Sequence, residues 1–209
     1  NLKAIISSTQ LEALGIDPIH YLVVPRVVAS YLANAKVSTI KADHDAFKEA
    51  RAVSQERIDK VLAVKGTRTI RDFHRNVGQI CWDHVGMARN EEGLKGAVEQ
   101  IRALRDEFWQ NVTVPGDKNN MNPELDYAGR VADYMEFAEL LALDALARRE
   151  SCGGHFREEF QAPDGEALRN DDEYSYAAAW EFQGVGTRPV MHREELEFHE
   201  VHPSQRSYK

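Results

Sequence analysis

The sequence has 209 residues, enough for one domain with an additional arm. Its 34 acidic and 26 basic side chains leave a net charge of −8, which argues against a general nucleic-acid-binding protein because phosphates need a surplus of cations. Two cysteines are too few for a disulfide framework or a four-thiolate metal site, and no apolar run reaches the roughly 20 residues of a membrane-spanning helix. The expectation is a soluble, mostly helical domain of a reducing compartment.

The first zone, residues 1–42, is mixed and apolar, with a break at residues 15–18. Asp17 precedes a proline there, which disfavours helix and suits a turn. We expect a short helix, a turn, and then a second helix or an extended segment over residues 21–33.

The second zone, residues 43–150, has the apolar spacing of consecutive helices. Asp43 is a suitable cap for the first helix, and the pair Lys65–Gly66 is typical of a helix end. The second helix is expected to open at Thr67 or Thr69. The apolar faces predicted for these two helices are Phe47, Ala50, Ser54, Ile58, Val61 and Leu62, and then Ile70, Phe73, Val77, Ile80, Cys81 and His84.

Two longer helices are predicted to follow. Asn90 is a suitable cap for the third helix and Asn122 for the fourth, which has Pro123 at its first position. The fourth helix is apolar on two sides, which indicates a central helix that neighbours cover on both. Its two faces are Val131, Tyr134, Met135, Ala138, Leu141, Ala142 and Ala145, and then Phe137, Leu140 and Leu143. The fold class is therefore mainly α, an antiparallel three- to four-helix bundle of the spectrin-repeat-like kind.

The chain loses helical periodicity after residue 150 and gains glycine, proline and acidic residues. Residues 174–182 and 195–201 alternate between polar and apolar side chains, which predicts two strands and a β-hairpin tail. Gly184 and Gly186 would turn the chain between them. The predicted domains are an N-terminal segment (1–42), a helical bundle (43–150), and an irregular and β C-terminal tail (151–209).

Cys152 and His155, separated by two glycines directly after the last helix, are the first candidates for chemistry. A thiol and an imidazole at this spacing could bind a metal or form a nucleophilic pair. A metal site needs further ligands at matching spacing, and none stands nearby in the sequence. The glycines are better explained by a sharp exit from the helix. Cys81 and His84 share a helix face with core residues, which favours a buried thiol and a structural histidine.

Three histidines and an acidic run could also attract cations. The histidines lie at spacings of seven and three, which do not place all of them on one side of a strand. Residues 170–173 are acidic but lack the loop pattern of a calcium site. The histidines, His192, His199 and His202, are predicted to lie at the surface. The sequence therefore predicts no catalytic, cofactor-binding or metal-binding residue.

Two motifs and the chain end resemble one known family. Residues 82–94, WDHVGMARNEEGL, resemble the bundle segment of the flavoprotein subunit of succinate dehydrogenase and fumarate reductase. Residues 149–159, RESCGGHFREE, resemble the motif that follows the bundle in that family, and residues 203–209, PSQRSYK, are similar to its ending. The likeness covers residues 36–209 in the right order. Cys152 is a departure, because many members carry an arginine there, and no role of that arginine is carried over.

The resemblance implies the C-terminal helical domain of a bacterial succinate:quinone oxidoreductase flavoprotein. In the intact enzyme, hydride would pass between succinate and flavin, and electrons would then pass through iron–sulfur centres to quinone. In the family, the residues that bind flavin and substrate precede this region. The domain is therefore expected to hold no cofactor and not to be catalytic alone, while the intact parent subunit holds FAD.

The resemblance also implies partners and a location. The partners would be the flavin-binding domain of the parent subunit and the iron–sulfur subunit, without nucleic acid and with the membrane only through the parent complex. The location would be cytoplasmic, at the inner face of the bacterial membrane. Arg148, Arg149 and Arg157 are expected to make interdomain contacts rather than to act as catalysts.

Residues 10–29 separately resemble a short cytoplasmic stretch of Mla-type lipid-transport ABC permeases. The alternative function is therefore a non-catalytic helical interaction module, linked to a lipid-transport ABC system. A third hypothesis is a small metal enzyme centred on Cys152 and His155. A large exposed apolar patch would favour the flavoprotein domain, because a self-sufficient module covers its apolar surface.

Overall fold

The computed structural model describes residues 29–35, 41–184 and 186–204. The chain divides into two compact units at the boundary between Ala52 and Val53. In the first unit residues 29–34 are helical. For residues 21–33 the sequence allowed a helix or an extended segment, and the described part agrees with the helix. The predicted turn, and all but the last residue of the permease-like stretch, lie outside the described residues. The three predicted domains stay a prediction.

Helical periodicity in the middle of the chain becomes four long helices within the described residues: α1 (Asp45–Ala63), α2 (Ile70–His84), α3 (Glu91–Asn111) and α4 (Pro123–Ala147). The last three begin at the predicted caps. The side chains of Thr69, Asn90 and Asn122 each accept the backbone N–H of the residue three positions later. Each bond satisfies one of the free N–H donors at the start of its helix. Among the described helices, none has the length and apolar character that crossing a bilayer requires.

Helices α2, α3 and α4 pack against each other around one core, as the sequence predicts for a bundle. Helices α3 and α4 run antiparallel, because Arg102 and Arg105 of α3 both reach Glu139 of α4, while the start of α3 lies beside the segment that follows α4. The rings of Phe73 and Phe108 meet edge to face at 5.2 Å. The fully or nearly fully buried core includes Ile70, Phe73, Leu94, Ala97, Ile101, Phe108, Ala128, Val131, Met135 and Ala142.

Helix α1 differs from its prediction in two ways. The imidazole Nδ1 of His44, and not the carboxylate of Asp43, accepts a backbone N–H at its start. Its predicted apolar face is mostly exposed, because of that face only Val61 is buried and Phe47 is 52% exposed. Periodicity placed the helix correctly but did not show how little of it would be covered.

The second apolar face of α4 is also less buried than predicted. Ala138 and Ala142 of the first face lie in the core, but Phe137 of the second face is 60% exposed, and Leu141 of the first face is also 45% exposed. The prediction of a central helix covered on both sides is wrong, since large apolar side chains of both predicted faces remain exposed.

Two-residue parallel bridges join the ends of the helices, a feature that the sequence did not indicate. Strands β1 (Arg68–Thr69) and β3 (Val112–Thr113) pair next to the start of α2 and the end of α3. Strands β2 (Ala88–Arg89) and β4 (Phe156–Arg157) pair between the start of α3 and the segment after α4. The second bridge brings two distant parts of the sequence into contact.

The tail contains a short helix, α5 (Asp171–Tyr174), and an antiparallel hairpin of β5 (Tyr176–Glu181) and β6 (Val190–Glu195). Gly184 and Gly186 have positive φ between the strands, as predicted. The second strand was predicted at residues 195–201, which is wrong. Tyr176 pairs with Glu195, and the residues before Tyr176 are helical, so residues 197–201 have no strand opposite them.

Candidate functional site

The segment that follows α4 ties the end of that helix to the start of α3. The side chain of Arg157 is 1% exposed, and its guanidinium donates to the carbonyl oxygens of Ala145 at 3.0 Å and Arg148 at 3.3 Å. These carbonyls belong to the last turn of α4, where a helix lacks internal donors and carries partial negative charge. Arg157 therefore caps the C-terminal end of α4.

The two acidic residues after Arg157 bond to the N-terminal end of helix α3. The carboxylate of Glu159 accepts the backbone N–H of Glu91, at the start of α3, and Glu158 accepts from the side chain of Asn90 at 2.7 Å. Burial raises the pKa of Glu159, but the Glu91 amide and Arg157 together hold it below its usual value. A carboxylate at a helix N-terminus is favourable because the free N–H groups there carry partial positive charge.

Two buried residues before the turn complete this arrangement. The Ser151 Oγ accepts the backbone N–H of Arg157 at 2.8 Å, and Ser151 is fully buried. Glu150, 2% exposed, accepts from the Arg148 guanidinium at 2.8 Å and from the backbone N–H of Asn170 at 2.8 Å. We call this group the clasp. Its members are Glu150, Ser151, Arg157, Glu158 and Glu159.

Cys152 and His155 form a tight turn at the tip of the clasp segment. Their backbones exchange two hydrogen bonds, of 2.8 and 3.0 Å, and Gly153 has a φ of +59° between them. The His155 Nε2 donates to the carbonyl oxygen of Arg148 at 2.9 Å, and burial lowers the pKa of this imidazole. His155 thus serves as a neutral donor to the backbone. The turn requires the positive φ of Gly153, as predicted, but the two glycines lie in this turn and not at the exit from α4, which ends at Ala147.

The other sequence candidates do not come together into a site. His192 pairs with Glu181 across the hairpin at 2.8 Å, whereas His199 and His202 are exposed in the segment that follows. Cys81 packs against the core, and burial raises the pKa of its thiol. Across the part of the chain that the structure describes, no cluster of three or more histidine, cysteine or acidic side chains could hold a metal ion.

The acidic run at residues 170–173 forms the start of α5. The Asn170 side chain accepts the backbone N–H of Glu173 at 3.3 Å, and Arg169 pairs with Asp171 at 2.6 Å. These contacts explain the run as a capped helical turn with a compensating cation.

The end of α2 and the loop that follows it carry exposed apolar side chains. Trp82 is 82% exposed and Met87 is 72% exposed, at the end of α2 and the loop that follows it. The Met87 carbonyl accepts the N–H of Phe156 at 3.1 Å, so this loop and the turn at residues 152–155 are adjacent.

A second apolar surface is a groove of about 790 Å³ bounded by α1, α4 and the hairpin. Aromatic side chains line it, among them Trp109, Phe137, Trp180 and Phe182. At its base Arg105 and Glu139, both 7% exposed, form an ion pair, and Arg102 reaches the second oxygen of the same carboxylate at 2.7 Å. The pairing neutralises both buried charges and joins α3 to α4.

Comparison with known proteins shows which family has this sequence pattern. The family model described as fumarate reductase flavoprotein C-term matches residues 74–208, which is more than half of the chain. The chain belongs to this family. The family match includes α2 from residue 74 onward, α3, α4, the clasp and the hairpin, whereas α1 lies before it. The resemblance carried by residues 82–94 and 149–159 is thereby confirmed.

Individual relatives agree with the family. The chain is 26% identical over 157 residues to the fumarate reductase flavoprotein subunit of Helicobacter pylori, which covers 74% of this chain and 21% of that protein. It is 30% identical over 105 residues to an uncharacterized FAD-dependent oxidoreductase of Methanocaldococcus jannaschii, covering 49% of this chain and 18% of that protein. The chain thus spans about one fifth of the length of these curated relatives.

Solved structures share the fold. A quinol fumarate reductase variant of E. coli superposes with a TM-score of 0.68 at 19% identity, over 83% of this chain and 28% of that chain. An apo Sdh1 complex of Mycobacterium smegmatis superposes with a TM-score of 0.63 at 21% identity, over 81% of this chain and 27% of that chain. The mainly α fold class is confirmed.

Sequence reasoning missed the roles of the clasp residues. Arg157 was expected to make interdomain contacts, and this is wrong, since its side chain is buried against α4 of its own unit. Arg148 likewise pairs with Glu150 and donates to the Tyr174 carbonyl at 2.9 Å. The available signal was a charged run directly after a helix exit, which can place a cation on a helix C-terminus.

Proposed function

We propose that this chain is the C-terminal helical domain of a succinate dehydrogenase or fumarate reductase flavoprotein subunit, where it braces the flavin-binding domain and the contacts with other subunits. The family match over residues 74–208 carries the proposal. The clasp supports it, because Arg157 and Glu159 fix the end of α4 against the start of α3. A rigid bundle end is what a bracing domain needs.

The described residues do not fit FAD. A flavin dinucleotide needs a helix start with free N–H groups for its pyrophosphate. The first turns of α2, α3 and α4 are already acidic, through Asp72, Glu91 and Glu124, and Glu159 adds a further carboxylate at the start of α3. These carboxylates would repel a pyrophosphate. FAD would therefore be held by the remainder of the parent subunit, and the chain would not oxidise succinate alone.

The proposed partners are the flavin-binding domain of the parent subunit and an iron–sulfur subunit. Among the solved relatives are a quinol-fumarate reductase with menaquinol molecules and a succinate dehydrogenase-type Sdh1 complex. A location at the cytoplasmic face of the bacterial membrane, through the parent complex, is part of the same proposal. The chain would contribute to electron transport as one domain of that complex.

A co-purification experiment tests the proposal. The chain would be captured from a lysate of its source, its partners identified by mass spectrometry, and flavin measured by visible absorbance. We expect a flavin-binding polypeptide or an iron–sulfur subunit among the partners, and no flavin on the isolated chain. Flavin that stays with the isolated chain, or capture of a transporter ATPase instead, would contradict the proposal.

A further inference from the structure

The turn at residues 152–155, which we call the latch, is held on the end of α4 chiefly by one side chain. His155 is half-buried, and its Nε2 donates to the carbonyl oxygen of Arg148 at 2.9 Å. A second contact, from the Arg89 guanidinium to the carbonyl oxygen of Gly154, is long at 3.5 Å. A Cβ added at Gly153 or Gly154 would meet nothing within 4 Å, so packing at the tip of the latch contributes little.

The segments on both sides of the latch are fixed independently of His155. Ser151 and Arg157 are buried and bonded to each other, since the Ser151 Oγ accepts the Arg157 backbone N–H at 2.8 Å. The Arg157 guanidinium holds the end of α4 through the carbonyl oxygen of Ala145. Release of His155 would therefore free the latch without freeing the clasp.

The imidazole of His155 lies among cations. Guanidinium groups from β2, from the segment after α4 and from β4 act on its charge, and they belong to Arg89, Arg148 and Arg157. The carboxylates that balance these cations are Glu150 beside Arg148, Glu159 beside Arg157 and Asp144 near Arg89. Within the described ranges, the histidines paired with a carboxylate are His192 and His199, and His155 is not among them. A proton on His155 would thus add a positive charge without a counterion.

Protonation of His155 is unfavourable while the latch is closed. Burial lowers the pKa of this imidazole and the three guanidiniums lower it further, which the bond to the Arg148 carbonyl oxygen only partly offsets. In an open latch the imidazole reaches water, where it binds a proton with its usual pKa of about 6.5. The open form therefore takes up the proton more readily, and acid favours it.

We propose that residues 152–155 form a proton-operated latch, in which the turn opens and leaves the end of α4 when His155 gains a proton. Helices α2, α3 and α4 stay packed in the open form, because their core and the clasp do not depend on His155. The opening is thus local, at a lower free energy than unfolding of the bundle.

Amide hydrogen exchange of the full chain, followed by NMR between pH 7.5 and pH 5, tests this proposal. The reporters are the backbone N–H groups of Cys152 and His155, which are bonded within the turn, and that of Ile101 in the core. Each rate is divided by the intrinsic exchange rate at the same pH. We expect protection of the two latch amides to fall by up to about tenfold for each pH unit below about 6.5, and that of Ile101 to fall less.

Two variants assign the effect to one imidazole. His155→Gln keeps an N–H donor without a titratable charge, so its latch amides should stay equally protected across the range. His199→Gln, 80% exposed in the tail, should behave as the parent chain does. The same decline in His155→Gln as in the parent, no decline in the parent, or an equal decline at Ile101 would each overturn the proposal.

Titration of the imidazole itself gives a second measurement, which does not require the His155 variant to fold. Its carbon-bound ring protons should report a pKa below 6.5 in the parent chain. Arg89→Gln removes one facing cation and should raise that pKa, whereas Arg149→Gln, exposed in the segment after α4, should leave it unchanged. A parent pKa at or above 6.5, or equal values in the two variants, would overturn the proposal.

Discussion

The clasp segment and the β5–β6 hairpin are both non-helical, yet they are held in opposite ways. In the clasp, Glu150, Ser151 and Arg157 are each at most 2% exposed and bond to the backbone of their own unit. In the hairpin only Tyr176 is buried, at 5% exposure. The segment without periodicity is thus the buried one, and the paired strands are mostly exposed.

The difference shows that pairing into a hairpin does not ensure a covering layer, whereas a segment without periodicity can be buried. The hairpin satisfies its backbone internally, through the ladder between its strands. The clasp instead satisfies helix ends, where free carbonyl and N–H groups require partners. Buried polar side chains are stable there because each one has a bonding partner.

The largest effect is expected from Arg157→Met. The substitution leaves the carbonyl oxygens at the end of α4 without their buried donor and leaves Glu159 without its cation. Removal of one partner of a buried charged arrangement costs about 3 to 5 kcal/mol of the free energy of unfolding. Chemical denaturation measured by circular dichroism would test this value.

Arg149→Met is the matched control for that variant. Arg149 is exposed, so its loss should change the free energy of unfolding by no more than about 0.5 kcal/mol. Equal destabilisation of the two variants would show that the burial of Arg157 in the clasp does not determine its contribution to stability.

A smaller contrast is expected between Ser151→Ala in the clasp and Thr187→Ala in the hairpin loop. The first leaves the buried N–H of Arg157 without its acceptor, which costs about 1 to 3 kcal/mol. The second removes an exposed hydroxyl that donates to the Gly184 carbonyl, which water can replace, and should cost less than about 0.5 kcal/mol. The same denaturation experiment compares them, and a larger loss for Thr187→Ala would contradict the prediction.

The clasp should also make stability depend on pH through His155. Burial lowers the pKa of His155 below its usual 6.5, so the unfolded chain binds the proton more readily than the folded one. The stabilisation is complete above about pH 6.5 and is lost as the pH falls through the folded pKa. His155→Gln should therefore flatten the decline of the free energy of unfolding as the pH falls below about 6.5.

His199→Gln provides the comparison for that experiment, since its side chain is 80% exposed in the tail. It should retain the pH dependence of the unaltered chain over the same range. An identical slope for all three proteins would show that His155 does not supply the effect.

The smallest effect is expected in the hairpin itself. His192 and Glu181 are both 59% exposed, and exposed ion pairs contribute about 0 to 1 kcal/mol. His192→Ala should therefore lower the free energy of unfolding by less than Ser151→Ala does. A loss as large as that of Arg157→Met would mean that the hairpin is as tightly integrated as the clasp.

Much of the fold could be predicted from local signals. The caps at Thr69, Asn90 and Asn122 are confirmed because capping depends on residues only three positions apart. The second strand was misplaced because its register depends on where its partner begins. Residues 171–174 form a helical turn, so β6 pairs upstream of the predicted position.

The clasp required the tertiary structure. Arg157 and Glu91 are far apart in sequence, and only the antiparallel packing of α3 and α4 brings the end of one helix beside the start of the other. A charged run after a helix cannot by itself show which helix ends it will meet. For the same reason the exposure of Phe137 was not foreseen, because it depends on how many neighbours α4 acquires.

The sequence by itself determined the helices, the caps of α2, α3 and α4, the mainly α class and, through residues 82–94 and 149–159, the family. These features rest on local hydrogen bonding and on contiguous motifs, which act over a few residues. Only the tertiary structure decided which charges are buried, which apolar side chains remain in water and that the two motifs are joined by a bridge between β2 and β4. Burial is a property of neighbours, and neighbours from distant parts of the chain are fixed when the helices pack.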